Sequence, residues 1–457
     1  MLSRTLTFSP DQDEGFFQEL PATAAVFLLR GDGDPYVSKT ANLRRRLQRL
    51  LGPPVEHSRR LNLRNRVREI EFTSTGSDFE SQFLLYQVLR ETFPRTYAAR
   101  LRLRPAPLVK LHLENEYPRA SITTRLGKIL ASEHTPPLCH SERSSSTSAV
   151  SGGTQSRNLL LRGLDEERRT RSNLYYGPFP SRTAAEKFAS DALDFFKMRR
   201  CIEDLHPDPA FPGCVYSEMK MCLAPCFKGC TDDEYHAEVA RVRNFFDTGG
   251  ESLVREFAQQ RERASSELAF EEAAAIHAKM EKLKPLLSQL PEIVRRVDQL
   301  KALIIQPGAH LELSPAQPAG TEATESAVHP TGSATTNAEQ QRAQSVCFFL
   351  FEGCGFRGPI EFSIKPRAES QSMESRVAEA IAAFAVPLDH SNAERTEHLS
   401  ILKRWYYRSN RTGEIFFTDD KGGWPFRRIV RAIGRVARGE NPQEAVFSAT
   451  ENPVPPS

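Results

Sequence analysis

The sequence predicts an α+β multidomain protein: a small antiparallel sheet with helices, a cysteine-centred and mostly α module with a helical hairpin, and a C-terminal α+β block. Three observations predict it. Two segments rich in Ser, Thr, Gly and Pro, His134 to Asn158 and Gln306 to Gln344, lack hydrophobic periodicity and divide the 457 residues. Strand-like apolar runs alternate with helical spacings near the start, whereas from Thr231 the chain is almost wholly helical up to the second such segment. Four cysteines, Cys201, Cys214, Cys222 and Cys226, fall within 26 residues, with Cys230 just beyond, out of eight in all. The expected divisions are 14–133, a disordered insert 134–158, a cysteine-cluster module 159–248, a helical hairpin 249–290, a disordered linker 306–344 and a C-terminal block 345–448.

Each element has a local reason. AAVFLLR and YVSK read as two strands joined by the tight turn GDGDP. ANLRRRLQRLL places Leu43, Leu47 and Leu50 or Leu51 at helical spacing. VREIEFTS reads as a third strand. DFESQFLLYQVLRETF reads as a second helix, with Phe79, Phe83, Leu84 and Val88 on one face and Pro94 ending it. In the middle of the chain, Ser181 starts a helix that turns Phe188, Leu193 and Phe196 inward. After the cysteine loop, a helix over DDEYHAEVARVRNFF runs to the break at Gly249 and Gly250, and helices at about 251–267 and 270–287 form the hairpin. VCFFLFEG and IEFSI read as strands, MESRVAEAIAAFA as a helix, EIFFT as a strand, and a basic helix closes the last block.

A chain of this length is too long for one compact core. Hydrophobic content of 39% and a mean hydropathy of -0.47 describe ordinary cores plus polar segments. No apolar run approaches a membrane span, and MLSRTLTFSPDQDEG lacks the apolar region of a signal peptide. A cytoplasmic protein with no membrane partner is expected. In that compartment clustered cysteines read as metal ligands or reactive thiols rather than disulfides. Net charge is only +3, but Arg30 to Arg68 carries eleven Lys/Arg against three Asp/Glu. Two more basic stretches, from Pro94 and from Lys403 onward, contain aromatics, a pattern that fits a polyanion and nucleic acid above all. A solvated arginine-rich surface is the plainer reading of the same residues.

VFLLRGDGDPYVSKTANLRRRL resembles the opening of the GIY-YIG nuclease domain in the UvrC family, the C component of the ABC excinuclease. Val26 and Phe27 take the place of Val-Tyr, Tyr36 to Lys39 that of Tyr-Val-Gly-Lys, and Asn42 to Arg46 that of Asn-Leu-Arg-Lys-Arg. LYYGPFPSRTAAEKF, MRRC, PGCVYSEMKMCLAPC and DDEYHAEVARVRNFF continue the resemblance in order, and SSELAFEEAAAIHAKMEKL resembles the UVR motif. The likeness covers about residues 14–300. SVCFFLFEGCGFRGPIEFSI vaguely resembles the strand pair that begins the family's RNase H-like nuclease, whose acid cluster the chain ends without completing. A truncated, divergent relative is expected.

In such a nuclease a metal-bound water attacks a phosphodiester, with a tyrosine, an arginine and a glutamate in support. The resemblance implies catalytic positions at Tyr36, Lys39 and Arg46, vestigial where Phe27 has lost the tyrosine hydroxyl. Counting back from Phe93 to Arg95 puts Leu85, which offers no ligand, at the metal-binding glutamate position. Glu80 lies about 140° away around the helix, Glu91 is displaced, and Tyr97 stands near the family's asparagine. The expectation is a DNA-binding protein of nucleotide excision repair with impaired or lost incision. The alternative is an active structure-specific endonuclease making a single incision with Mg²⁺ or Mn²⁺.

The four cysteines match positions that the resemblance implies ligate an iron–sulfur cluster; spacing alone allows four-thiolate zinc as well. Phe270, Glu271, Ala273 and Ala274 are the expected contacts of the hairpin with the excinuclease B subunit (UvrB), with His277 and Ala278 replacing the usual Arg-Asp; an ordinary intramolecular helix pair is the other reading. DNA contacts are expected at Arg44, Arg45, Arg49, Arg427, Arg428 and Arg431.

Overall fold

The computed structural model describes residues 2–11, 14–54, 60–127, 172–309, 345–365, 371–384, 390–419 and 421–440. The expected insert 134–158 lies outside them, as does nearly all of the expected linker.

The first sheet is antiparallel in the order β1-β4-β2-β3, from β1 (Arg4–Thr7), β2 (Ala25–Gly31), β3 (Tyr36–Thr40) and β4 (Val67–Ser74). A short helix, α1 (Glu14–Gln18), precedes β2. Strand alternation explains why β2 is apolar throughout its buried part: it has a helix on each face. Phe27 and Leu29 meet Leu43, Leu47 and Leu50 of α2 (Leu43–Leu51), while Val26 and Leu28 meet Leu84, Leu85 and Val88 of α3 (Asp78–Thr92). Side-chain caps fix both helix starts: Asn42 accepts the Arg45 N–H and Ser77 accepts the Glu80 N–H. The sequence reading of β2, β3, α2, β4 and α3 matches these spans, and β1 adds an edge strand it did not include.

The strand pairing cuts across the expected divisions. After α4 (Tyr97–Leu101), β5 (Leu108–Leu111) and β6 (Ala120–Thr123) join β7 (Leu174–Gly177) and β8 (Arg295–Arg296) in a second sheet ordered β6-β5-β7-β8. Residues at the end of the first expected division thus belong to the sheet that carries the cysteine module. Helix α5 (Arg182–Leu193), capped by Ser181, leads into the cysteine loop with its short α6 (Val215–Glu218). Helix α7 (Asp232–Asp247) starts with a capping box between Thr231 and Glu234. Gly249 and Gly250, at positive φ, break it from α8 (Glu251–Ser266), which turns through left-handed Leu268 into α9 (Phe270–Ser288).

The third sheet, ordered β11-β10-β9-β12, contains β9 (Ala302–Pro307), β10 (Ser345–Glu352), β11 (Gly355–Ser363) and β12 (Glu414–Phe417). All its neighbours are antiparallel. Gln306 and Pro307, expected at the start of a linker, instead end an inner strand, and the Gln306 side chain is wholly buried. Helices α10 (Met373–Ala382) and α11 (Asn392–Tyr406) lie between β11 and β12, and the basic α12 (Phe426–Arg438) buries Ile429, Ile433 and Val436 against the sheet.

Helix α3 joins the first and third sheets. Opposite the β2 side, Phe79 and Phe83 pack edge-on against Phe349 and Phe356, with Trp405 and His398 completing the cluster. Aromatic contacts of this kind add about 0.5–1.5 kcal/mol each beyond area burial. At the rim, Glu397 accepts from Tyr86 and Tyr97 at 2.9 Å each, and Arg90 pairs with Glu394.

Candidate functional site

The cysteine loop is anchored before its first thiol. Arg199 is almost fully buried, an expensive position for a cation unless its donors are satisfied. Its Nε donates to the Tyr117 carbonyl at 2.9 Å, and its Nη1 donates to the Glu203 carbonyl at 2.9 Å and to Cys201 Sγ at 3.4 Å. Its backbone N–H donates to the Tyr235 hydroxyl, which in turn donates to the Pro118 carbonyl. Arg199 therefore ties the loop to the second sheet through its guanidinium and to α7 through its backbone N–H. The sequence reading passed over Arg199; its signal was the MRRC segment, where a charge sits inside an otherwise buried run.

Further along the loop, Ser217 accepts the Cys214 N–H at 2.9 Å and donates to its carbonyl at 2.6 Å. Left-handed Ala224 aims its N–H at Cys222 Sγ, 3.3 Å away. Burial first, then the neighbouring Cys201, Cys226 and Cys214, pushes the Cys222 thiol up to about 11. Burial and then Cys214 raise Cys226 as well. The thiols of Cys201, Cys214, Cys222 and Cys226 are thus near enough to act on one another's charge, and sulfur donors with an N–H···S bond suit a soft metal or an iron–sulfur cluster. Among the described residues no set of three or more His, Cys, Asp or Glu side chains stands at coordinating geometry. Cys230 is raised by burial and by Glu234 and Asp232, with Cys226 last, so it belongs to the start of α7 more than to the thiol group.

The second face is that of the first sheet. Arg46 Nη2 donates to the Tyr36 hydroxyl at 2.9 Å, and Phe27, fully buried, packs its ring 6.1 Å from that of Tyr36. Lys39 leaves the opposite face of β3 by strand alternation and pairs with Asp78 at 2.6 Å. Tyr36 and Arg46 are therefore brought together and Lys39 is engaged elsewhere. Leu85 packs with Val37, Val26 and Leu28, so the side chain at this position of α3 sits in an apolar layer. Glu80 faces the third sheet, where it accepts the Gly76 N–H at 2.7 Å; burial, and then Glu361, pushes its carboxyl up to about 7.

Among the other expected contacts, Arg45 and Arg49 are exposed, whereas Arg44 donates to the Leu20 carbonyl at 2.8 Å. Arg427 and Arg431 are exposed on α12; Arg428, also exposed, lies over the Phe416 ring. At the hairpin turn Leu268 is 71% and Phe270 66% exposed. Glu271 and Ala274 are exposed too, but Ala273 packs against the core. No helix among the described residues is long and apolar enough to cross a membrane.

Comparison with known proteins bears on these features. Residues 154–245 match the family model described as UvrC/Cho excinuclease, middle domain. The chain is similar to UvrABC system protein C of Idiomarina loihiensis, 26% identical over 263 residues, covering 57% of this chain and 36% of the relative. It is likewise similar to that of Rickettsia felis (23%, covering 58% and 34%) and of Carboxydothermus hydrogenoformans (23%, covering 60% and 38%). The chain spans little more than a third of the length of these relatives, and no solved structure matches it. Over more than half its residues, then, the chain is similar to UvrABC system protein C, and at its centre it matches the UvrC/Cho excinuclease middle domain.

Proposed function

We propose that this chain is a DNA-binding protein of nucleotide excision repair in which metal-dependent incision at the first sheet is lost. The observation that carries the reading is Leu85, packed into the apolar layer between α3 and β2 at the position aligned with the metal-binding glutamate. Tyr36 and Arg46 remain joined, so the face keeps a phosphate-binding cation without a carboxylate to hold the ion. Arg45 and Arg49 on α2 and Arg427 and Arg431 on α12 supply phosphate contacts that set position rather than sequence preference.

Cys201, Cys214, Cys222 and Cys226 would hold an iron–sulfur cluster or, failing that, zinc. Such a centre supplies a covalent hub for a loop with little apolar core of its own. Arg199 and the Ala224 N–H orient two of the four sulfurs. The hairpin docks on the excinuclease B subunit through Phe270, with Glu271 and Ala274 beside it; the exposed aromatic at its turn supports this reading.

The test is incubation of the purified protein with lesion-bearing duplex, the B subunit and Mg²⁺ or Mn²⁺. Salt-dependent binding without nicks is expected. Nicks abolished by Tyr36→Phe or Arg46→Ala would overturn the reading in favour of a single-incision endonuclease.

A further inference from the structure

Asp78 is shared by two cations that lie 369 residues apart in sequence. Lys39, on the edge strand β3, reaches one carboxylate oxygen at 2.6 Å, and Arg408, just past α11, binds the other. The triplet is open to solvent: Asp78 is 51% exposed and Arg408 55%. Arg404, one turn before Arg408, is also exposed. Lys403 sets its ammonium against the carbonyls of Arg104 and Pro105, at 3.5 and 3.4 Å, and so brings the exposed Arg104 beside the same helix. Three basic stretches separate in sequence thus meet along α11 and the segment just past it, where these five cations line one seam that includes Asp78.

The ion pairs are not needed to hold that seam, because the Phe79, Phe83, Phe349, Phe356 and Trp405 cluster already does so. Exposed pairs of this kind contribute only about 0–1 kcal/mol. A carboxylate held so weakly between an ammonium and a guanidinium occupies the place an anion of like geometry would take, and an arginine fork accepts phosphate oxygens as readily as carboxylate ones.

We infer that this seam is a track for a DNA strand, in which a backbone phosphate displaces the Asp78 carboxylate from between Lys39 and Arg408. The inference rests on the DNA-binding reading above and says where on the molecule the strand lies. Phosphates on either side of the central one meet Arg404 and Arg104. The track joins the nuclease-like sheet to the C-terminal block, so both are needed for full affinity.

The test is fluorescence anisotropy with a labelled duplex of random sequence, titrated over a range of salt concentrations, on the full chain and on Asp78→Asn, Lys39→Ala and Arg408→Ala. Asp78→Asn should bind several-fold more tightly, since the internal competitor is gone. Lys39→Ala and Arg408→Ala should bind more weakly and each lower the salt slope by about 1. Asp78→Asn keeps the shape of the side chain and decides the matter alone if either alanine variant fails to melt like the parent. A parent chain that binds DNA while Asp78→Asn and the folded alanine variants match its affinity and slope would overturn the track and leave the DNA-binding reading intact. A parent chain that does not bind at all would remove both.

Discussion

The cysteine loop and the first sheet stand in contrast. The loop brings four cysteines near enough to act on one another's thiols, with Arg199 and the Ala224 N–H bonded to two of them. The sheet keeps its strands, its two helices and the Tyr36–Arg46 pair, but has phenylalanine at position 27 and leucine at position 85. An apolar layer accepts a leucine readily, whereas a carboxylate placed there would have to give up its hydration. A ligand set has no such tolerance, since each lost donor leaves the ion short. Under the proposed function, the difference teaches that a fold can outlive its chemistry in one part of a chain while another part keeps the cysteines that would hold a metal.

The contrast would break most visibly if the thiols did nothing. Structural metal centres contribute about 10 kcal/mol to folding at neutral pH, so chelation of the protein should give the largest loss of all, read as a drop in melting temperature. Unchanged melting under chelation would erase the distinction between the two regions.

Phe83→Ala tests the other side, by asking whether the first sheet survives as scaffold. Phe83 is buried between α3 and the third sheet, and its truncation should cost about 3–5 kcal/mol in denaturant unfolding. A loss below about 1 kcal/mol would mean the sheet and the C-terminal block do not share a core.

Glu80 sharpens the comparison further. Its folded carboxyl titrates at about 7 against an ordinary value of 4.5, with Glu361 and Cys347 facing it. A raised acid means that the folded state binds the extra proton, so its stability is greatest below 4.5 and falls as pH rises through 7. The change amounts to about 3 kcal/mol, and Glu80→Gln should remove it while leaving the Gly76 N–H an acceptor. If Mg²⁺ restored the lost stability at pH 8, Glu80 would be acting as a ligand and the account of the first sheet would fail.

The smallest effect on folding belongs to Phe270→Ala. At 66% exposure the ring should matter by less than about 0.5 kcal/mol to stability, yet binding to the excinuclease B subunit in a pull-down should weaken clearly.

Much of this was legible because local patterns decided it. The Leu43, Leu47 and Leu50 spacing, the Ser181 cap and the double glycine after α7 each act within a turn or two of chain. What the sequence reading missed was long-range or disguised. Ala302–Pro307 pairs with Ser345–Glu352, and Leu108–Leu111 with Leu174–Gly177, and no periodicity announces partners so far apart. Most of helix α11, Asn392 to Leu402, carried no assignment from sequence, although the Ser391 and Glu394 capping box marked its start. The cysteines and Leu85 were readable by position. The neighbours that give them meaning, Arg199 for the loop and Val37 for the sheet, come from folding alone.

The most direct test of the account is metal and acid-labile sulfide analysis, with a visible spectrum, of the anaerobically purified chain beside Cys222→Ser. The account predicts one iron–sulfur or zinc centre per chain in the parent and none in the variant. A parent protein that carries neither iron nor zinc would contradict it.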